Sequence, residues 1–298
     1  MRENVGEIDS IVVKDVVNFL HPLNPGAVYS GAVERTGWKI DFVLPYEIQG
    51  RVEIKADAWK KYNCGIGRRD IGFNATRIRK VFSTMKKGEI AEIEIDDNCI
   101  IGRWKNLNLT WTHLLEETTD KSKDYLLPED LVYTVDISLS KHHIKSIKMH
   151  LAAIEKETER WDPWNGVVLD YENKQLKIFV YRIENRYQNG AWTPAVKVRS
   201  VIELSKFNVH KGRTETIAIY PLKIFKRILG NVKNGYLKLA FGNETPLRVD
   251  FEIREGIHIE AHLMPASLTE KVRRKIIDHL NGETIINVER TGTKKRKE

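Results

Sequence analysis

The chain has 298 residues, 41% hydrophobic and 30% charged, enough to bury the core of one large domain or two ordinary ones. No apolar run approaches the roughly 20 residues that cross a bilayer, and the start, MRENVGEIDS, lacks the apolar core of a secretion signal. The net charge of +8 favours a polyanionic partner, most simply nucleic acid.

In chain order, IDSIVVKDVVNFLHPL (8–23) predicts a strand running into a helix, with β segments after it, RVEIKADAWKKY among them. IGFNATRIRKVFSTMKKGEIAEIEIDDN (71–98) starts on alternating Ile71 and Phe73. It continues into an amphipathic helix bearing Ile78, Val81, Phe82 and Met85, then closes on a strand with Ala91, Ile93 and Ile95. WKNLNLTWTHL (104–114) is a further long strand. HLLEETTDKSKDYLLPEDL (113–131) is charged and polar in its middle, with little to bury, and reads as a linker.

The pattern then begins again. YTVDISLSKHHIKSIKMHLAAI (133–154) is a strand entering a helix whose Ile144, Ile147, Leu151 and Ile154 recur at three and four. AVKVRSVIEL (195–204) is a long strand. IAIYPLKIFKRILGNVKNGYLKLAFGNE (217–244) overlays 71–98 without a gap. Ile217 and Ile219 fall on Ile71 and Phe73, Lys226 on Lys80, and Lys233 on Lys87. Its helix carries Leu222, Ile224, Phe225 and Ile228, and its last strand Leu237, Leu239 and Phe241. A hairpin follows, Leu247, Val249, Phe251, Ile253 and then Ile257, Ile259, Ala261, Leu263, each run alternating with polar residues. It ends on the apolar Met264-Pro265. Beyond it, Val272, Ile276, Ile277 and Leu280 predict a helix, and Lys294–Lys297 end the chain on a basic run.

This duplication predicts an α+β chain of two similar domains, 1–115 and 132–266, joined by a linker, 116–131, and followed by an extension, 267–298. Each domain should hold antiparallel sheets with two helices on one sheet face.

The charge is concentrated on those helices. Lys141, Lys145 and Lys148 share a stripe with no acid until Glu155. Arg77, Lys80 and Lys87 align in the second helix, and Lys223, Lys226 and Arg227 in the fourth. The first helix is weaker, with Lys14 offset by Asp15. Solvated faces usually mix signs to gain i,i+4 pairs. Stripes of one sign, at equivalent places of a repeat, suit sequence-independent contact with phosphates. No Asn/Gln/Arg cluster looks equipped to read bases.

GNETPLRVDFEIREGIHIEAHLMPA (242–266) resembles the final hairpin of the DNA sliding clamps of the proliferating cell nuclear antigen (PCNA) type, with Gly-Asn, a Pro-Leu pair, alternating apolars and a closing Leu-Ala-Pro that is here Leu263-Met264-Pro265. DIGFNATRIRKVF resembles the clamp segment in which an Ile-Gly-Val-Asn strand enters an inner helix. The resemblance spans residues 8–266 and is patchy at ERWDPWNG and RIENRYQNGAWTP. It implies a homotrimeric ring with sheets outside and basic helices lining a hole for double-stranded DNA. In such a ring edge strands pair between subunits, here 104–114 with 195–204. It also implies a non-enzymatic processivity factor in replication and repair, located with the DNA, which docks a polymerase or other clamp-binding proteins, with a clamp loader as a further partner. The matching peptide pocket is Pro246, Met264 and Pro265, with Leu126, Leu127 and Pro128 of the linker as looser members. The chain is basic overall and extends past the clamp's usual end. That excess of positive charge is similar to the herpesvirus-type processivity subunits, which share the clamp fold but bind DNA as monomers or dimers through a basic face, so that alternative stays open.

Chemistry of other kinds finds little purchase. GIGRRDIG (65–72) lacks the third glycine of a dinucleotide loop and a strand follows it. His142 and His143 are neighbours on a helix and point apart, and His150 is too far along to complete a metal site with either. Asp162 and Asp170 belong to no nuclease-like cluster, although a nuclease using the same basic surface remains the rival reading. Cys64 and Cys99 stand in no CxxC pair, which fits a reduced intracellular compartment. The sequence therefore predicts no catalytic residue, no metal and no cofactor.

Overall fold

The computed structural model describes residues 3–44, 46–63, 67–116, 127, 131–155, 165–188, 191–212, 215–233 and 235–282. For 153–155, 165, 184–188, 191–199 and 279–282 it describes the backbone alone. In the first half, β1 (Glu3–Asp9) enters α1 (Ser10–Leu20), and the Asp9 carboxylate caps that helix by accepting from the Ile11 N–H. β2 (Val28–Glu34), β3 (Gly37–Leu44) and β4 (Ile48–Lys55) form a meander, followed by β5 (Lys61–Tyr62) and β6 (Arg69–Asn74). Asn74 caps α2 (Ala75–Phe82) by accepting from the N–H groups of Thr76 and Arg77. β7 (Ile90–Ile95), β8 (Cys99–Trp104) and β9 (Leu109–Leu114) complete the half.

The second half runs β10 (Val135–Ser140), α3 (Lys141–Glu155), β11 (Asn165–Glu172), β12 (Gln175–Gln188), β13 (Ala191–Leu204) and β14 (Asn208–Gly212). It continues through β15 (Thr216–Pro221), α4 (Leu222–Asn231), β16 (Tyr236–Phe241), β17 (Leu247–Arg254), β18 (Ile257–Leu263) and α5 (Glu270–Gly282). The mixed α+β architecture read from the periodicity is the one observed. Among the described residues no helix is long and apolar enough to cross a membrane.

Strand order makes the duplication plain. The first half forms β5-β1-β7-β8-β9 and β4-β3-β2-β6, and the second forms β14-β10-β16-β17-β18 and β13-β12-β11-β15. Antiparallel pairing of β18 with β4, from Ile257 opposite Ile54 to Leu263 opposite Ile48, fuses two of these into one nine-stranded sheet. The five-stranded sheet left over ends on β9, and the four-stranded one ends on β13. α1 packs on α2 and α3 on α4, with Ile144, Ile147, Leu151, Phe225 and Ile228 buried in the common core.

The internal repeat needs one correction. Asn74 caps α2 and Pro221 occupies the same place before α4, so the two halves align one residue later than the ungapped overlay predicts. Ile71 and Phe73 face the common core, whereas Ile217 and Ile219 face the opposite side of their sheet and Ala218 and Tyr220 face that core. A one-residue slip flips every side chain of a strand. The overlay matched apolar to apolar and so chose the wrong face, because β15 is apolar on both. Arg79 and Lys80 therefore correspond to Lys226 and Arg227.

The second face of β15 is apolar for a local reason. Val168, Phe179 and Ile219 lie abreast on β11, β12 and β15, where the first half has Ser30, Asp41 and Gly72. α5 covers that apolar row, burying Val272 and Ile276 against Val168, Tyr181, Ile183 and Ile219. Each such aliphatic side chain contributes about 1.5–3 kcal/mol. The predicted helix of the extension thus forms a third layer over the second half. Lys294–Lys297 and the side chain of Leu280 lie outside what is described.

The fold disfavours the charged form of two histidines. His113 on β9 accepts the Asn74 N–H at Nε2 (3.4 Å), and burial, helped by Arg77 and opposed by Glu116, lowers its pKa. His150 on α3 meets Ser200 Oγ at 2.9 Å, and burial lowers its pKa too. Below the unfolded value of 6.5 the unfolded chain binds protons that these folded rings refuse. Stability is therefore full above that pH and lost as pH falls toward the depressed folded values. Urea unfolding should show a lower midpoint at about pH 5 than at pH 7.5, and His113→Gln should shrink that drop.

Candidate nucleic-acid interface

The helices α1 to α4 carry ten Lys and Arg residues against two acids, Asp15 and Glu155. Their apolar stripes are turned into the core, which leaves the cationic stripes toward solvent. Arg77 and Lys80 on α2, Lys141 and Lys145 on α3, and Lys223 on α4 are exposed. Lys226 and Arg227 are half-buried, and burial pulls the Arg227 guanidinium below its usual pKa. Arg79 reaches from α2 to α1, donating from Nε to Asn18 Oδ1 (3.0 Å). Arg77 pairs with Glu116 at 3.1 Å.

Three of the predicted contacts are placed differently. α2 ends at Phe82, a turn earlier than the apolar spacing suggests, so Lys87 stands exposed in the turn before β7 rather than on the helix. Lys14 donates from Nζ to the carbonyls of Ser83 (2.8 Å) and Met85 (3.2 Å), groups that the end of α2 leaves without helical partners. Lys148 does the same for α4, donating to the Val232 carbonyl at 2.7 Å. Burial, and next the nearby Lys233, lowers the Lys148 pKa. Both amines tie helix pairs together and have little left to offer a ligand.

Asp15 does not offset Lys14. Its carboxylate, 6% exposed, accepts from Lys233 Nζ (2.8 Å) and from Arg254 Nη2 (2.9 Å), both from the second half. A sequence gives no direct sign of such a clasp, since the three residues are more than 200 positions apart in two of the three pairings.

The apolar end of the last hairpin is a separate candidate. Met264 donates its N–H to the Glu47 carbonyl (2.9 Å) in the β3–β4 turn, joining the end of β18 to the first half. Met264, Pro265 and Leu127 are half-buried, and Pro246 is buried. Leu126 and Pro128 lie outside the described residues. Tyr46, next to Glu47, is 84% exposed at a φ of 61° and was missed; an aromatic in the turn LPYEIQG, where polar residues are usual, was its signal. Tyr133, where the chain re-enters from the linker, meets His262 Nδ1 through its hydroxyl (3.2 Å). His262 Nε2 meets Glu260 (2.9 Å), and that hydrogen bond holds the Glu260 carboxyl below its usual pKa.

With this geometry in view, likeness to known proteins is confined to structure. No protein-family model matches the chain, and no curated protein matches it either. Among solved structures, A. fulgidus PCNA bound to the C-terminal region of FEN-1 has a TM-score of 0.70 at 16% identity, covering 90% of this chain and 100% of that one. PCNA of Entamoeba histolytica gives 0.64 at 13% identity, covering 89% and 99%. The PCNA2–PCNA3 complex of Sulfolobus tokodaii gives 0.66 at 15% identity, with the same coverages of 89% and 99%. The chain therefore has the PCNA clamp fold, with about a tenth of its length outside the shared part.

The lysines that serve the fold should separate from those that do not. Lys148→Met should lower stability by about 1–2 kcal/mol in urea, because it strands the Val232 carbonyl, whereas Lys80→Ala should stay within about 0.5 kcal/mol of the parent.

Proposed function

We propose that this chain is a sliding clamp that encircles double-stranded DNA and tethers replication and repair proteins to it. The single observation that carries this reading is the edge arithmetic of the sheets. Within the chain, β18 of a five-stranded sheet pairs with β4 of a four-stranded sheet. Among the described strands, the counterparts of those two edges, β9 on the other five-stranded sheet and β13 on the other four-stranded one, each end their sheet. Pairing β9 of one copy with β13 of the next repeats the internal joint between chains. Such a head-to-tail contact closes into a ring when the rotation is right. Leu109 and Leu114 on β9 and Val201 on β13 are exposed apolar residues along those edges, a liability in a lone chain.

In this proposal residues 1–115 and 132–266 act as two clamp domains, and three copies make the ring. The exposed Arg77, Lys80, Lys141, Lys145 and Lys223 meet phosphates, with Lys226 and Arg227 behind them. Encirclement, with no base-reading equipment, keeps the ring on DNA while weak contacts let it slide. Because A. fulgidus PCNA binds the C-terminal region of FEN-1, we place a comparable peptide site here at Met264, Pro265, Leu127 and Tyr46, bordered by the buried Pro246. A monomer binding DNA through its basic face leaves the exposed apolar residues of these two edges unexplained.

Light scattering at moderate salt should give three times the chain mass. Successive N–H groups of a strand alternate sides, so of Leu109→Pro and Thr110→Pro one removes a donor from the free edge of β9. That variant should fall to monomer mass with its fold retained. A parent already at monomer mass would end the ring reading. Lys80→Ala with Lys145→Ala should weaken DNA binding evenly across duplex sequences. The same pair should lower the salt slope by about 0.9 for each phosphate left without its cation. Preference for one duplex at matched length would contradict sliding.

A further inference from the structure

The apolar outer face of the second half is already occupied, and its occupant is tied to the docking segment. Only residues 264–269 separate β18 from α5. This stretch is stitched at both flanks of Pro265: the Met264 N–H donates to the Glu47 carbonyl and the Ala266 N–H to the Ile219 carbonyl, each at 2.9 Å. Ala266 and Leu268 pack onto the same cluster that takes Val272 and Ile276 of α5. Thr269 opens the helix, its carbonyl accepting from the N–H groups of Val272 (2.9 Å) and Arg273 (3.0 Å). Arg273 also forms an ion pair with Glu244, in the β16–β17 turn that leads into Pro246. One helix thus braces both chain segments that border the apolar site.

We propose that α5 is a buttress that positions the peptide site from behind, with Val272, Ile276 and Arg273 as positioning residues that touch no peptide. This rests on the docking reading of Met264 and Pro265 given above. A segment of six residues, held by backbone hydrogen bonds at its first and third positions and running straight into the helix, has little slack. Seating the two apolar side chains draws it flat against the edge of β15, and the Arg273–Glu244 pair holds the neighbouring turn. Preorganisation of this kind lowers the ordering cost of a partner peptide without adding a contact. The same cover hides an apolar row that the first half does not have, so the buttress and the face form one feature of this chain.

The test uses the full chain, a labelled peptide of the C-terminal region of FEN-1, and amide exchange. Ile276→Ser should speed exchange at the Met264 and Ala266 amides at least tenfold and weaken peptide binding about tenfold. Ile276→Val should behave as the parent. DNA retention and its salt slope should not change, which separates positioning from general unfolding. Arg273→Glu should reproduce part of the loss on a soluble surface pair, and Arg273→Glu with Glu244→Arg should restore it. Met264→Glu, which alters the docking segment itself, should abolish peptide binding while leaving DNA retention intact. Unchanged exchange at Met264 in both Ile276→Ser and Arg273→Glu would overturn the proposal, and so would tighter peptide binding, which would make α5 a lid. If the parent binds no peptide, the docking reading fails on its own, and the exchange measurements still decide whether α5 holds the segment.

Discussion

The ladder between β18 and β4 is the interaction on which the rest of the molecule depends. Seven residue pairs, from Ile257–Ile54 to Leu263–Ile48, turn two half-molecules into one continuous sheet. The ladder alone is a hinge, since a single line of hydrogen bonds resists sliding better than it resists bending. Asp15 closes that hinge on the helix side, where α1 meets β17 and its carboxylate takes both Lys233 and Arg254. The pair is nearly desolvated on the acid side and partly wet on the basic side, so its cost of burial is modest and its geometry is specific. These two features and the apolar core that spans both halves, where Phe19 of α1 meets Phe251 of β17, together hold the halves at their angle, and any closed assembly built from the chain inherits that angle.

The cations divide into two kinds of work. Lys14 and Lys148 commit their amines to carbonyls at the ends of α2 and α4, so positive charge serves the packing of each helix pair. Arg77, Lys80, Lys141, Lys145 and Lys223 remain at the surface. The outer face of the first half behaves differently, because its charges are matched: Arg51 with Asp41, Lys39 with Glu34, Arg103 with Glu94, Lys105 with Glu92. A field of one sign therefore arises on the helices from a scarcity of acids there together with a surplus of bases. That asymmetry is what a polyanion would sense within about 8 Å at physiological salt.

Much of the fold was legible because strands and helices with one wet face announce themselves by period. The final hairpin, with Leu247, Val249, Phe251 and Ile253 inward, is an example, and all four are buried. What could not be read follows from long-range geometry. Asp15 sits beside Lys14 in sequence, and that adjacency suggested a local pair, yet its partners come from the far half. The cationic stripes were visible by spacing, but spacing is blind to which amines fold back onto carbonyls. Apolar Met85 keeps the helical period going as far as Lys87 in the sequence, although the helix ends at Phe82 and Met85 is buried from a turn.

The register of the repeat reflects how the chain is built. A strand buried on one face carries its own phase, and two copies can be aligned by that phase. β15 is apolar on both faces, with Ile217 and Ile219 on one and Ala218 and Tyr220 on the other. Its phase is then silent, and only the helix cap, Asn74 in one half and Pro221 in the other, restores the register. A strand apolar on both faces demands a third layer. Within the described residues that layer is α5, which follows the hairpin after only six residues. The apolar residues at the end of the hairpin, Met264 and Pro265, are accordingly the passage between two layers, pinned to the first half by the Met264 N–H at Glu47 and, through the next residue, Ala266, to β15 at Ile219. The same short segment connects three parts of the molecule, and any partner that engages it engages all three.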